Sequence, residues 1–274
     1  MIPLEDLSND VIGKAQRGLK INDASLAEQA GISLAALAAL KDGGTEEADL
    51  LKVAPCLQLH GPSLVTMAKM AWHPQPVQMG GLAQFNTTYH DMTVNAYITW
   101  DPASRAAVAF DTGADAQPMI DFLAANDLSL AKIFLTHTHG DHVADLEKLC
   151  AATGCTTVRS HEREPQPGTQ TFVITEETAW NVGSLRIKPR STWGHSAGGV
   201  TYVVTGLQQP VAIVGDALFA SSMGGGAVSY TDALATNRKE IFTLPDNTIL
   251  CPGHGPFTTV EQEKANNPFY PEYK

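Results

Sequence analysis

Positive charge is scarce in this sequence: 18 Lys and Arg stand against 29 Asp and Glu, a formal net charge of −11 over 274 residues. A phosphate backbone would be repelled by that balance, and no Lys/Arg cluster marks a local exception. Nucleic acid is therefore not an expected partner. Cysteine is scarce as well. The four present, Cys56, Cys150, Cys155 and Cys251, are scattered without C-x-x-C spacing. That excludes a disulfide framework and leaves reduced, buried thiols as the expectation. No apolar run approaches the ~18 residues that suggest a membrane helix. The opening residues MIPLEDLSND carry neither a basic n-region nor an apolar h-region, so they do not read as a signal peptide. No membrane partner is expected, and the cytoplasm is the expected compartment. The composition itself, 43% hydrophobic and 17% charged, is that of a globular chain long enough for one large domain or a core domain with an appendage.

The first seventy residues read as helices. SNDVIGKAQRGL has Ser8 or Asn9 in a capping position and apolar residues at helical spacing. DASLAEQAGISLAALAALKDGG predicts two short helices broken at Gly31, the second stopped by Gly43 and Gly44. EEADLLKVAPCLQL and PSLVTMAKMAW supply two more. The set resembles the five-helix, helix-turn-helix domain of the lambda-repressor-like class, which would place Ser33 to Lys41 as the recognition helix. That helix offers Ala and Leu where base edges call for polar or basic side chains. Residues 1 to 75 carry nine acidic and six basic side chains, a net of −3. Both features favour packing, with Leu34, Leu37 and Leu40 buried in a core or in a homodimer contact. HPQPVQMGG then marks a joint, dividing a helical accessory region 1–73 from a second region 74–274.

Beyond the joint the pattern changes to strands. DMTVNAYITW and AAVAFDTG flank the turn DPAS; AQPMIDFLAAND is helical; AKIFLT is a strand; HVADLEKLCAATG is a helix. TTVRS, TFVIT, SLRIKPRST, GVTYVVTG, PVAIVGDALF and NTILCPGHG read as further strands or strand ends. Two strand-rich halves with interleaved helices imply an α/β sandwich with helices on both outer faces.

The chemistry concentrates in FLTHTHGDHVADL. His137, His139, Asp141 and His142 follow an apolar strand. Strand alternation would put His137 and His139 on one face, and a turn at Gly140 would fold Asp141 and His142 back over it. Imidazoles and a carboxylate suit zinc, iron or manganese. Four ligands from one loop cannot close two sites. Three further candidates stand at strand ends beside glycine: His195 in STWGHSAGG, Asp216 in VAIVGDALF and His254 in ILCPGHGP. The remaining histidines, His60, His73, His90 and His161, read as surface or packing residues.

In order, THTHGDH, GHSAGG, GDALF and PGHGP resemble the motifs of the metallo-β-lactamase superfamily over roughly residues 82 to 268, with VNAYITW and AFDTG, including Asp111, as its opening strands. The closing NPF, Asn267 to Phe269, is similar to the glyoxalase II-like branch. The resemblance implies an αββα sandwich and two divalent metal ions, most often zinc, with iron or manganese as alternatives. His137, His139 and His195 would hold the first; Asp141, His142 and His254 the second; Asp216 would bridge them. It further implies hydrolysis of a small acyl ester, thioester or lactone by a metal-bridging hydroxide, with Asp141 also orienting the attacking water. No serine or cysteine nucleophile is then required.

Glyoxalase II carries basic and tyrosine residues after GDxLF, and a helical C-terminal extension. Here that segment is ASSMGGGAVSY, without Lys or Arg, and about twenty residues follow the last motif. A glutathione tail is not the expected substrate handle, and Tyr230 reads as a packing residue. A second reading is a persulfide dioxygenase holding one iron through His137, His195 and Asp216; the presence of all seven ligands favours two metals. A third, a regulator binding DNA through the N-terminal helices, is opposed by their acidic balance.

Overall fold

The structure is a computed structural model and describes residues 2–274. Five helices come first: α1 (Ser8–Leu19), α2 (Asp23–Ala30), α3 (Leu34–Lys41), α4 (Glu47–Cys56) and α5 (Gly61–Ala68). Their ends follow local chemistry. Asn22 and Ser33 accept the amides of Ser25 and Ala36 as side-chain caps. Gly31 closes α2 at φ 62°, the left-handed conformation that glycine adopts without penalty. The cap of α1 differs from expectation. Leu7 holds that position, its amide donating to the Asp10 carboxylate at 2.9 Å, and Ser8 is already helical. Leu37 and Leu40 are buried as expected, but Leu34, the first residue of the helix, is 57% exposed.

After an irregular stretch, β1 (Leu82–Tyr89), β2 (Met92–Trp100), β3 (Ala106–Phe110), β4 (Ser129–Phe134), β5 (Val158–His161) and β6 (Gln170–Phe172) form one sheet in sequence order. β7 (Trp180–Val182), β8 (Leu185–Ser191), β9 (Val200–Thr205), β10 (Val211–Gly215), β11 (Ile249–Pro252) and β12 (Thr258–Thr259) form the second, again in sequence order. Helices α6 (Gln117–Ala125), α7 (Gly140–Val143), α8 (Leu146–Thr153), α9 (Tyr230–Glu240) and α10 (Val260–Asn266) complete the chain before a single 3-10 turn. The stretch expected as one helix after the histidine cluster is two, because the chain turns at Asp145, whose carboxylate accepts the Ala116 amide.

Period-two alternation builds the layers. On β3, Val108 and Phe110 face the space between the sheets, while Ala107 and Ala109 face α6 and α8. On β9 and β10, Val200, Tyr202, Val204, Val211 and Ile213 join the same central layer. Val203, Ala212 and Val214 point the other way, into a cluster shared with Val11, Leu26, Leu40, Leu50 and Leu64 of the five N-terminal helices. The helical segment thus packs on the outer face of the second sheet, in one core with it. None of the helices is long and apolar enough to cross a membrane, among the described residues. All four cysteines are free.

Candidate metal centre

The functional side chains stand where parallel strand pairs end. β3 and β4 run parallel, as do β10 and β11. Beyond β4 come His137, His139, Asp141 and His142; beyond β10, Asp216; beyond β11, His254; and His195 lies in the connection from β8 to β9. Strand alternation does not explain the pairing of His137 with His139, since β4 stops at Phe134 and both lie in the following loop. The loop itself turns them together.

Seven side chains converge in two groups. His137, His139, His195 and Asp216 offer ligand atoms within 4.8 Å of one another, and so do Asp141, His142 and His254. His139 Nδ1 is 3.0 Å from His137 Nε2 and 3.1 Å from His195 Nε2. Around a zinc ion with Zn–N bonds of ~2.0–2.1 Å, tetrahedral nitrogens stand about 3.3 Å apart. Asp216 lies between the groups. Its Oδ2 is 3.4 Å from His195 Nε2 and 3.4 Å from His254 Nε2, and its Oδ1 is 3.3 Å from His142 Nε2. Asp141 Oδ2 approaches His142 Nε2 at 3.4 Å and His254 Nε2 at 3.3 Å. Asp216, His137 and His142 are buried, whereas His139 is exposed and marks the open side.

Outer contacts aim these rings inward. His142 Nδ1 meets Asp111 Oδ2 at 2.8 Å, His254 Nδ1 donates to Thr93 O at 2.6 Å, and His195 Nδ1 donates to Gly225 O at 2.9 Å. The Thr136 hydroxyl donates to Asp111 and lies 3.1 Å from His137 Nδ1, so that nitrogen carries its proton outward. Each Nε2 of these four rings is thereby left facing the centre. Asp111 itself sits at φ 58° and is 2% exposed. Close approach explains Gly253: a Cβ there would fall 2.1 Å from Asp216 Oδ1 and 2.7 Å from His142 Cε1.

The electrostatics call for cations. Burial pushes the imidazoles of His137 and His195 down, toward the neutral form that ligates. Burial, the largest single influence, works against charge on His142 and His254, but Asp216 together with Asp111 at His142, and with Asp141 and the Thr93 carbonyl at His254, pushes them up to about 10 and about 11. Burial alone would raise Asp216; His142 and His254 outweigh it and hold that carboxyl well below its usual range. His142 Nε2 and Asp216 Oδ1 are buried without a hydrogen-bond partner. Imidazole nitrogens and carboxylate oxygens converging within 4.8 Å, two of them buried without a partner, are the donor set that divalent cations would take in place of protons. The residues present fit divalent cations.

One pattern could suggest a serine nucleophile instead. Gly194-His195-Ser196-Ala197-Gly198 matches G-x-S-x-G letter for letter. The strand-to-helix elbow that motif needs is absent, since the loop runs on into β9, and Ser196 is only 2% exposed. The other histidines lie apart: His60 caps α5, His73 holds Ile2 O and Pro74 O, and His161 packs on Phe172. His90 is exposed at the β1–β2 turn, edge-to-face with Tyr89.

A two-sheet sandwich with helices outside and a His/Asp cluster across its strand ends has the form of a metal-binding α/β fold. The sequence pattern of the metallo-beta-lactamase superfamily matches residues 91–254, and the chain belongs to that superfamily. It is similar to a probable metallo-hydrolase of Streptococcus pyogenes, 28% identical over 213 residues that cover 68% of this chain and 89% of the relative. It is similar to the hydroxyacylglutathione hydrolase GloC of Haemophilus influenzae, 27% identical over 202 residues, 64% of this chain and 92% of that one. Among solved structures, the B3 metallo-beta-lactamase BLEG-1 matches with a TM-score of 0.57 and 29% identity, covering 69% of this chain and 98% of its own.

Proposed function

We propose that this chain is a dinuclear metallohydrolase acting on a small acyl ester, thioester or lactone, with His137, His139 and His195 at one ion, Asp141, His142 and His254 at the other, and Asp216 between them. The observation that carries the reading is the position of Asp216, whose two oxygens face ring nitrogens of both groups. Similarity to a thioester hydrolase over 92% of its length supports it. Bound divalent cations supply Lewis acidity and a water whose proton is lost near neutral pH.

The chain's own residues prepare that chemistry. Buried His137 and His142 exclude bulk water from the floor, and exposed His139 leaves access from one side. Asp141, with 13% of its side chain exposed, borders the opening, where its carboxylate would orient the attacking water by accepting a hydrogen bond. Asp111 fixes both the 136–137 turn and His142, so the ligand rings need no rearrangement during turnover.

The substrate handle is small or uncharged. The segment Ala220 to Tyr230 carries no Lys or Arg. The cation that reaches it, Lys14, is already paired with Asp6. Tyr230 packs on Gly18 and is 8% exposed, which removes it from the cleft edge. Zinc is the proposed metal, and a cytoplasmic enzyme without a nucleic-acid partner is the proposed setting. The test is metal analysis with turnover of a panel of aryl esters, lactones and acyl thioesters. Two ions per chain and chelator-sensitive hydrolysis are expected. One iron per chain, with oxygen uptake on a persulfide and no hydrolysis, overturns the reading.

A further inference from the structure

The loops of the metal centre are not held by the sandwich alone. Two of them rest on the N-terminal segment, which lies outside the span matched by the superfamily. The backbone of Glu5 lies against Gly255, next to His254; a Cβ on that glycine would stand 3.2 Å from Glu5 N. Lys14 of α1 donates from Nζ to Met223 O at 2.8 Å. The same ammonium sits 4.9 Å from the centre of the Phe219 ring, which meets the His254 ring edge-to-face at 5.5 Å. Asp6, 6% exposed, pairs with Lys14 and accepts from Ser222 Oγ. Ser222 and Met223 lead directly into Gly224 and Gly225, and Gly225 O holds His195 Nδ1. Gly224 is wedged: a Cβ there would fall 1.9 Å from Asp216 O and 2.9 Å from His195 Nδ1.

Fastening two surfaces does not require a buried ion pair. Apolar contact does that as well or better, and the helices already share a core with the second sheet. What the Asp6–Lys14 pair adds is direction. It fixes one side-chain oxygen and one backbone carbonyl of a loop whose next residues hold a metal-facing ring.

We infer that Asp6 and Lys14 are positioning residues of the metal centre. They set the 219–225 loop so that Gly225 O orients His195 and Phe219 backs His254. The helical segment is then a working part of the site, not a detachable appendage. The inference rests on the reading of His195 and His254 as metal ligands.

The test uses the full chain, stripped with a chelator and titrated with Co2+ in competition with a chromophoric chelator. The visible spectrum of the loaded protein is recorded as well, together with thermal unfolding of the metal-free form. Asp6→Asn and Lys14→Met are expected to weaken Co2+ binding ~10–100-fold, the usual cost of removing support behind a ligand, and to change the band shape. Lys14→Arg is expected to recover part of the loss. Lys69→Ala, which breaks an exposed pair with Glu47 in the same helical segment, should change neither. Lower melting temperatures with unaltered Co2+ affinity and spectrum would show simple fastening and overturn the inference. If both variants fail to fold, Ser222→Ala removes a single hydrogen bond to Asp6 and carries the same readouts; wild-type binding in that variant overturns the coupling. Wild-type protein that binds no Co2+ would overturn the metal-centre reading, and this inference with it.

Discussion

The helical segment and the sandwich treat buried polar atoms differently. In the helices, Asn22, Ser33 and His60 each cap a helix start with a side-chain acceptor. Of the buried side-chain N and O atoms without a partner, Asn9 Oδ1 is the one that lies there, among the described residues. The sandwich holds the others, and two of them, His142 Nε2 and Asp216 Oδ1, face each other at 3.3 Å. An unsatisfied buried group costs about 1–3 kcal/mol. Most of the unpartnered atoms are scattered, but these two face each other at the strand ends among side chains that can ligate a metal. Stability governs the first region, and ligand chemistry governs this corner of the second.

That contrast can be broken at several points. The largest effect is expected at the centre itself. Asp216→Ala removes the carboxylate that both groups share and should lower metal content and cut turnover by at least about 10³-fold, since it opens both coordination spheres at once. Metal analysis beside a hydrolysis assay checks this; full metal with full turnover would remove Asp216 from the centre. Leu26→Ala, by contrast, empties a fully buried position in α2 and should destabilise by roughly 2–5 kcal/mol. Co2+ affinity at a temperature where the variant is folded should stay as in wild type, because Leu26 has an apolar side chain that forms none of the hydrogen bonds orienting the ligand rings. Denaturant unfolding and metal competition together separate the two.

The third point concerns pH. Glu263 is fully buried, accepting from Ser221 N, Thr258 Oγ1 and Asn267 Nδ2. Burial outweighs those bonds and pushes its pKa up from 4.5 to about 7. With the folded value above the unfolded one, its contribution is fully present below the unfolded pKa and is lost as pH rises through the folded value. Unfolding free energy should therefore carry a decline, on the order of 3 kcal/mol, between about pH 4.5 and 7. Glu263→Gln should flatten it; an unchanged profile in that variant would assign the decline elsewhere. The smallest effect is expected at a cap. Asn22→Ala should cost about 0.5–2 kcal/mol through the lost bond to Ser25 N, with no change in metal content.

Legibility in the sequence followed chemistry more closely than geometry. All seven residues that converge were readable, because metal-ligating atoms belong to few side chains and these stood beside glycine at strand ends. Their supports were harder to see. Thr93 and Gly225 act through carbonyl oxygens that every residue possesses. Asp111 was visible only as part of an opening strand, not as the group that orients His142. Helix α9 was missed because YTDALATNRKE has little apolar periodicity; its Tyr230, Ala233 and Asn237 are buried by partners from elsewhere in the chain. Strand β7, three residues long, is marked only by its pairing with β8.

By itself the sequence determined the kinds of candidate ligand, their places at strand ends and the alternation that sorts Val108 from Ala107, because these are properties of residue type and short spacing along the chain. Only the tertiary structure decided that His195 and His139, 56 residues apart, meet at 3.1 Å. It alone decided that the five helices share a core with the outer face of the second sheet, and that Asp6 reaches a loop 216 residues further on. Those contacts depend on how two sheets and a helical layer close over one another. That closure is set by the summed burial of many side chains, which no short stretch of sequence contains.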